Sequence, residues 1–577
     1  MIIDALQADS GTAFTADVCI VGAGAAGISM ALELAGSSLD VLLLESGGLK
    51  AEKATQDLYA GEVADERLHS PPDRYRQRRF GGTTTIWGGR CMPFDEIDFE
   101  TRDFLPHSGW PLDRAALLPY YHQANRLCEA GEFAYTQAEA FDRPLAPMIQ
   151  GFDSGDFVTD ALERFSCPTD FGTRYLGRLR RAANVRIVTH ANVTSIDLAP
   201  NGRRVQSLSV RTLNGRRFEV TARHVVLATG GLEVARLLLA SRDIQPEGIG
   251  NGNDLVGRFY MCHLAGTIGT LRVDGPLGSV RNGYDVSDEG IYCRRRIALS
   301  AAAQRRERIG NFIARLHHPR ITDPEHRNAV LSLLYLSKYA IPYEYRKRLH
   351  GDDAGGLGAL LKHLRNVALG PFDAAQFAWH MLKDRRLAER KFPSIIIKPK
   401  ANLFSLDFHA EQQPNPESRV TLARDRDALG VQRIRVDWRY TAGDVATIAR
   451  ALELFSRDVM QSGIGRFDYD PAAVEFEMTR YGAYGGHHIG TARMGTDPGS
   501  SVVDARCRIH GMENLWIASA AVFPTSSQAN PTLTVVALAL RLAAQLRTAV
   551  AVERGPAVLP QQTSAAGGLG HGGDLAD

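Results

Sequence analysis

The chain has 577 residues, 44% hydrophobic and 23% charged, with 55 glycines, a balance that fits a large globular protein with room for two or more cores. A net charge of +2 leaves no basic footprint for a nucleic-acid partner. Seven cysteines, scattered from Cys19 to Cys507 without a Cys-x-x-Cys pair, predict neither a zinc site nor a disulfide framework.

Met1 to Ala16 has no basic start and no continuous apolar run, so no secretory signal is expected and a cytoplasmic location is the default. Val18 to Val21 then read as a short buried strand, followed at once by Gly22-Ala23-Gly24-Ala25-Ala26-Gly27 and a helical run from Ala25 to Leu34. This is the setting of a dinucleotide fingerprint: Gly22 for the tight turn, Gly24 for close approach of a pyrophosphate, Gly27 for helix-on-strand packing. Ala25 and Ala26 open the helix whose N-terminus faces the phosphates. Asp40 to Glu45 form a second apolar strand, and Glu45 lies near the expected 20 or so positions on, where a carboxylate binds a ribose 2′-hydroxyl and disfavours a 2′-phosphate.

No second fingerprint follows, so a flavin reduced by nicotinamide is not indicated. Val205 to Val220 alternates around Asn214-Gly215, a hairpin turn. His224 to Leu227 then give an apolar strand that ends in Ala228-Thr229-Gly230-Gly231, a turn small enough for close backbone approach to a cofactor, ahead of a helix from Leu232 to Ala240. Together these features favour FAD. Basic clusters at Arg294 to Arg296, Arg305 to Arg308 and Arg385 to Lys391 follow; the last two alternate with acids and read as solvated helix faces. Val330 to Tyr339 and Leu357 to Leu382 are apolar with aromatics. Core packing is the first reading for them; a substrate entrance, a subunit interface and contact with a membrane-bound electron acceptor are the others. Arg419 to Leu422 and Arg433 to Trp438 predict paired strands. No apolar run reaches the roughly 18 residues of a membrane span. Residues 551–577, rich in Gly and Ala towards the end, predict a disordered tail.

Two motifs close the chain, Gly486-His487-His488-Ile489-Gly490-Thr491 and Phe523 to Thr532, the latter containing Asn530-Pro531-Thr532. With the fingerprint, Gly81-Gly82-Thr83-Thr84-Thr85-Ile86-Trp87-Gly88-Gly89-Arg90, Trp110-Pro111 and Ala228 to Gly231, they resemble in kind and order the glucose-methanol-choline (GMC) family of flavin oxidoreductases, over about residues 16 to 546. Gln413 to Val420 and the Asn530-Pro531-Thr532 ending resemble the branch of pyranose oxidases, glycoside 3-oxidases and bacterial sugar dehydrogenases. The resemblance implies that His487 is the catalytic base, with His488 ranked second, and that Asn530 is its partner. It makes Gly82 and Thr83 cofactor contacts and places Trp87 to Arg90 along the isoalloxazine and the backbone of Val193 at the adenine. Pyranose oxidases tether the flavin through a histidine where this chain has Ile86, so non-covalent FAD is expected. Many relatives have an aspartate where Ile517 to Ala521 stand here, so backbone amides at Ser519 and Ala520 are the expected contacts, beside Pro531 and Thr532.

The chemistry asks for the same pair. Alcohol oxidation removes a hydroxyl proton and a carbinol hydride; the hydride goes to flavin N5, and the protein supplies a base and a group that orients the oxygen. Histidine has the pKa for a base near neutrality, and asparagine binds the oxygen without adding charge.

The expected fold is α/β: a Rossmann-like FAD-binding domain from residues 16–100, 180–262 and 483–550, interleaved in sequence with a sheet-plus-helix substrate cap from 101–179 and 263–482. The expected activity is oxidation of a carbohydrate, glycoside or polyol CH–OH, with electrons passed to O2 or to a quinone or cytochrome. A non-sugar alcohol, a glycosylated metabolite, a non-redox flavin lyase on this fold and a flavin subunit serving assembly or electron relay are the alternatives. Homo-oligomerisation, or a small signal-bearing partner subunit carrying the chain to the periplasm as in some relatives, stays open.

Overall fold

Val18, Cys19 and Ile20 have no solvent contact because their strand, Ala13–Val21, lies in the middle of an eight-stranded sheet. The computed structural model describes residues 1–341, 346, 356–393, 397 and 402–554. The sheet runs Ile2–Asp4, Val185–Thr189, Val41–Leu44, Ala13–Val21, Arg217–Leu227, Val205–Arg211, Asn192–Leu198, with Leu515–Ile517 pairing the end of Arg217–Leu227. The first five strands and Leu515–Ile517 are parallel, in register Val18↔Val41, Cys19↔Val225 and Val225↔Leu515. Covered on both faces, such strands read as unbroken apolar runs. The last two strands form the antiparallel hairpin with Arg217–Leu227, Gly215 at φ 88° in its turn. Helices Ala25–Leu34 and Gly231–Ala240 start from the carboxyl ends of two neighbouring parallel strands, where α/β sheets open their crevice.

A seven-stranded second sheet is built around Met261–Val273 and runs Gly465–Asp468, Met261–Val273, Leu403–Ala410, Phe312–His317, Ile297–Leu299, Phe157–Val158. Tyr484–Ile489 joins it by pairing with the start of Met261–Val273. Backbone pairing therefore cuts across boundaries drawn at motifs. The histidine strand, expected in the nucleotide segment 483–550, belongs to the second sheet; Met261 and Cys262 already lie in that sheet; Ile2–Asp4 and Ala13–Val21 extend the nucleotide sheet ahead of residue 16. Arg419–Arg426 and Gln432–Asp437 pair as expected from their pattern, and Glu62–Val63 adds a parallel third strand.

Two further expectations are corrected. Thr532–Val550, within the final helix Thr532–Arg554, is long and apolar enough to cross a membrane, with mean hydropathy 1.5, although Arg541 and Arg547 interrupt its apolar run; 61% of it is buried, packed against Ala25–Leu34 and Leu118–Leu127. Helices Leu357–Leu369 and Pro371–His380 leave most of their apolar residues in solvent: Leu357 is 74% exposed, Phe372 78% and Trp379 63%, and the buried residues are His363, Asn366 and Ala374, with Phe377 half-buried against Leu331, Leu334 and Tyr335. The final helix carries residues 551–554 of the expected tail, whose remainder lies outside the described residues. All seven cysteines are free, six of them buried.

Candidate active site

A cavity of about 520 Å³ opens between the two sheets, and every cofactor residue expected from the sequence except Gly27 lines it. Gly27 stands behind the turn, where a Cβ would collide with the Gly22 carbonyl; it permits helix-on-strand packing. Gly22, at φ 104°, would put a Cβ 2.7 Å from the Ala228 carbonyl, so the two cofactor turns touch here. A Cβ on Gly24, Gly88 or Gly230 would instead meet no protein atom within 4 Å, and all three face the cavity. Gly24 caps the helix without a side-chain hydrogen bond, which leaves the amides of the first turn, at Ala25 and Ala26, for an anionic ligand. The Thr229 Oγ1 is buried and has no partner among the described residues. An open glycine cradle, uncapped amides and a waiting hydroxyl fit a dinucleotide.

Glu45 is buried at the same end, its carboxylate accepting the amides of Ala23 and Gly47, each at 2.9 Å. The loop bearing Gly82 and Thr83 closes over the fingerprint, with Gly82 at φ 54° and a Cβ there only 3.0 Å from Gly24 Cα. The Trp87 Nε1 donates to the Thr169 carbonyl at 2.9 Å. Gly89, Val193, Ala228, Ala520, Pro531 and Thr532 are wall residues, as is Ile86. The Ser519 hydroxyl accepts from the Ala521 amide at 3.2 Å and so caps its own short helix.

Gly485 and Gly486, both at positive φ, crowd the histidine strand: a Cβ on the first would lie 2.9 Å from the His487 ring, and one on the second would collide with Tyr75. Successive residues of a strand point to opposite faces, and His487 and His488 part company accordingly. His488 lies with Tyr260 and His69, ring centroids 6.1 and 6.3 Å away. His487 meets His263, Nδ1 to Nδ1, at 2.7 Å. His263 has no solvent contact, and its Nε2 lies 3.1 Å from the Ser526 carbonyl. Burial pulls the His263 pKa down to about 4, and burial, then His263 and Arg90, hold that of His487 well below the ordinary imidazole value; both rings are neutral near pH 7. A carbonyl only accepts, so the His263 proton is on Nε2 and its Nδ1 accepts in turn. The His487 proton must then be on Nδ1, which leaves Nε2 with a lone pair.

Asn530, just ahead of the final helix, accepts at Oδ1 from the Arg90 Nη1 at 3.2 Å, so its Nδ2 protons remain for a ligand. Arg90 is anchored in turn by Glu163, 2.7 Å from its Nη2. The preceding loop, polar in sequence, is fully buried, and its side chains are hydrogen-bonded apart from the Gln528 Oε1, which has no partner among the described residues. Thr525 accepts from Trp110 Nε1 and donates to the Asp98 carbonyl; Ser526 bonds the Gln412 backbone; Ser527 donates to the Asp98 carboxylate at 2.6 Å; Gln528 donates to Asp95. Trp110-Pro111, quoted above only as a motif, thus braces the Asn530 loop. His263 and Ser526 have no signal of their own in the sequence, since a histidine in an alternating strand reads as ordinary core.

Residues 17–333, more than half of the chain, match the family described as FAD dependent oxidoreductase, the class that the glycine cradle and the open β–turn–α crevice define. Residues 414–539 match the family described as GMC oxidoreductase, and the chain belongs to the GMC family of FAD-dependent alcohol oxidoreductases. Among similar proteins, the fructose dehydrogenase large subunit of Gluconobacter japonicus is 24% identical over 92% of this chain and 98% of its own. Paromamine 6'-oxidase of Streptomyces fradiae is 24% identical over 91% and 90%. The crystal structure of pyridoxine 4-oxidase from Mesorbium loti shares the fold, with a TM-score of 0.50 at 19% identity over 92% of this chain and 98% of that one.

Proposed function

We propose that this enzyme oxidises a secondary or primary hydroxyl of a carbohydrate, glycoside or polyol, with His487 as base and Asn530 as the group that orients the oxygen. The observation that carries this reading is the 2.7 Å contact between His263 and His487, which leaves the His487 Nε2 as an unprotonated acceptor on the cavity wall that also holds Asn530. The Asn530 Nδ2 donates to the substrate oxygen, and His487 Nε2 takes the hydroxyl proton as negative charge develops there. His263 keeps the His487 proton on the nitrogen away from the substrate. Bound FAD supplies the hydride acceptor. Gly24, the amides of Ala25 and Ala26, Glu45, Thr229 and Gly230 would hold its nucleotide part, and Trp87 to Gly89 with Ser519, Ala520 and Thr532 its ring end. Ile86 has no side-chain atom able to form a tether, which supports a non-covalent FAD, and acid precipitation should then release it to the supernatant. Relatives named for fructose, paromamine and, over a fifth of the chain, C-glycosides support a polyhydroxylated substrate.

The test is anaerobic flavin absorbance with a panel of monosaccharides, glycosides, polyols and simple alcohols, then admission of air. Bleaching by a polyhydroxylated compound is expected. Fast recovery in air would assign O2 as acceptor, slow recovery a quinone or cytochrome. Yellow enzyme that no alcohol bleaches would sink the reading.

A further inference from the structure

The cavity is also lined by Arg315 of the second sheet, by Arg90 and Arg294 on strands Arg90–Cys91 and Tyr292–Arg295 of a separate four-stranded sheet, and by Arg385 in the helical segment Met381–Arg386. The acids that line the cavity belong elsewhere: Glu45 to the fingerprint turn, Glu233 to Arg76 and Arg78, Asp427 to Arg236. Behind the arginine wall stand two buried carboxylates. Glu163 is 2.7 Å from Arg90, 3.7 Å from Arg315 and directly opposite Arg294 in strand register; Asp407 is 3.5 Å from Arg315, its own cross-strand partner. Burial alone would raise the Glu163 carboxyl, but Arg315, Arg90, Arg294 and Arg296 around it bring it below the ordinary carboxylate range.

Guanidiniums therefore outnumber carboxylates, and they are the groups that face the void. Arg294 is buried, donates Nη2 to the Leu316 carbonyl at 2.9 Å and lies over the Tyr284 ring at 5.7 Å. Neither Arg294 nor Arg385 has a carboxylate at ion-pair distance among the described residues. A buried surplus of positive charge is costly until a counter-charge arrives, and a planar guanidinium binds carboxylate or phosphate oxygens in pairs.

We propose that the substrate carries an anionic group, a carboxylate or a phosphate ester, which Arg294, Arg315 and Arg385 hold while its reacting hydroxyl lies at His487 and Asn530. This rests on the alcohol-oxidising reading above and narrows it to acidic sugars, with polyamino sugars disfavoured by like-charge repulsion.

The holoenzyme should be mixed anaerobically with matched compounds: glucose, glucuronate, gluconate, glucose 6-phosphate and glucosamine, and methyl glycosides beside the corresponding uronides. The expected result is flavin reduction at least about tenfold more efficient, as limiting rate over Kd, with acidic members than with neutral ones, an advantage that shrinks with added salt. The carboxylate and phosphate arms separate the two sources of charge. Arg294→Gln and Arg385→Gln should each lower the acid-to-neutral ratio about tenfold, with FAD content and Tm measured on each. Arg385 is half-buried, so its variant carries the test if the buried Arg294 site does not tolerate change. Neutral sugars equalling or exceeding their acids, or a ratio that survives both substitutions, would overturn the proposal and leave the sugar reading intact. Bleaching by none of these or the wider panel would remove both.

Discussion

His263 touches no solvent, yet it decides which nitrogen of His487 carries a proton. Replacing it with leucine removes the acceptor at Nδ1, lets the ring turn or change tautomer, and should slow flavin reduction on the order of 10²-fold with FAD retained. His263→Asn, whose side-chain oxygen can accept in place of Nδ1, should recover much of the rate, whereas equal defects in both variants would point to packing alone. The pH profile tests the same assignment. Burial, the His263 ring and the Arg90 guanidinium all disfavour protonated His487, and the competent form is neutral. The limiting rate should therefore stay on its plateau as pH falls through about 6.5, the ordinary imidazole value, and decline only at lower pH, where His487 finally protonates. Stopped-flow reduction across the acid range would read this, and a midpoint near 6.5 would mean a solvated, unperturbed histidine. At this scale the motifs singled out His487 and Asn530, and the fold brings both to the cavity wall. The sequence was silent on His263, whose contact with His487 spans 224 positions, and it gave Arg90 a place in a motif but not its link to Glu163 and Asn530.

Among the elements, the strand–turn–helix at Gly22 to Gly27 separates holding a cofactor from holding a fold. Gly24→Ala introduces a methyl group that meets only cavity, at a φ of −83° that alanine accepts. The variant should keep the apoprotein Tm and bind FAD at least about tenfold more weakly. Gly27→Ala drives a methyl into the Gly22 carbonyl, so its loss should appear first in folding, as a lower Tm or insoluble protein. Circular dichroism melts beside FAD titration distinguish the two; a Gly24→Ala protein that binds FAD normally would remove the pyrophosphate assignment. The fingerprint, the hairpin and the paired strands at 419–437 were readable because local patterning and turn chemistry agree there. Residues 357–380 were not: their helical periodicity is real, but periodicity alone does not say which side faces protein, and here much of the apolar side faces solvent.

For the molecule as a whole, the cavity lies between two sheets, each assembled from distant segments, and both contribute to its wall. FAD should therefore stabilise the entire chain, by about 2.7 kcal/mol at a hundredfold excess over Kd. A Tm that rises steadily with added FAD would show it; a Tm indifferent to FAD would place the cofactor outside the cooperative unit. Domain limits were the least legible feature, since motifs mark what touches the cofactor while hydrogen bonds decide which sheet a strand joins, and the strand bearing His487 does the first from the second sheet.

The position of Leu515–Ile517 and Asn530 also sets a schedule. Leu515–Ile517 fills a parallel slot beside Arg217–Leu227, Ser526 orients the histidine pair, and Thr532–Arg554 packs on the first helix of the fold, yet all three leave the ribosome after nearly everything they complete. A nascent or prematurely terminated polypeptide has the fingerprint and even His487, but not Asn530 or the Ser526 carbonyl. On the roles proposed above, oxidising power arrives in a single late event, and fragments released early should carry none of it.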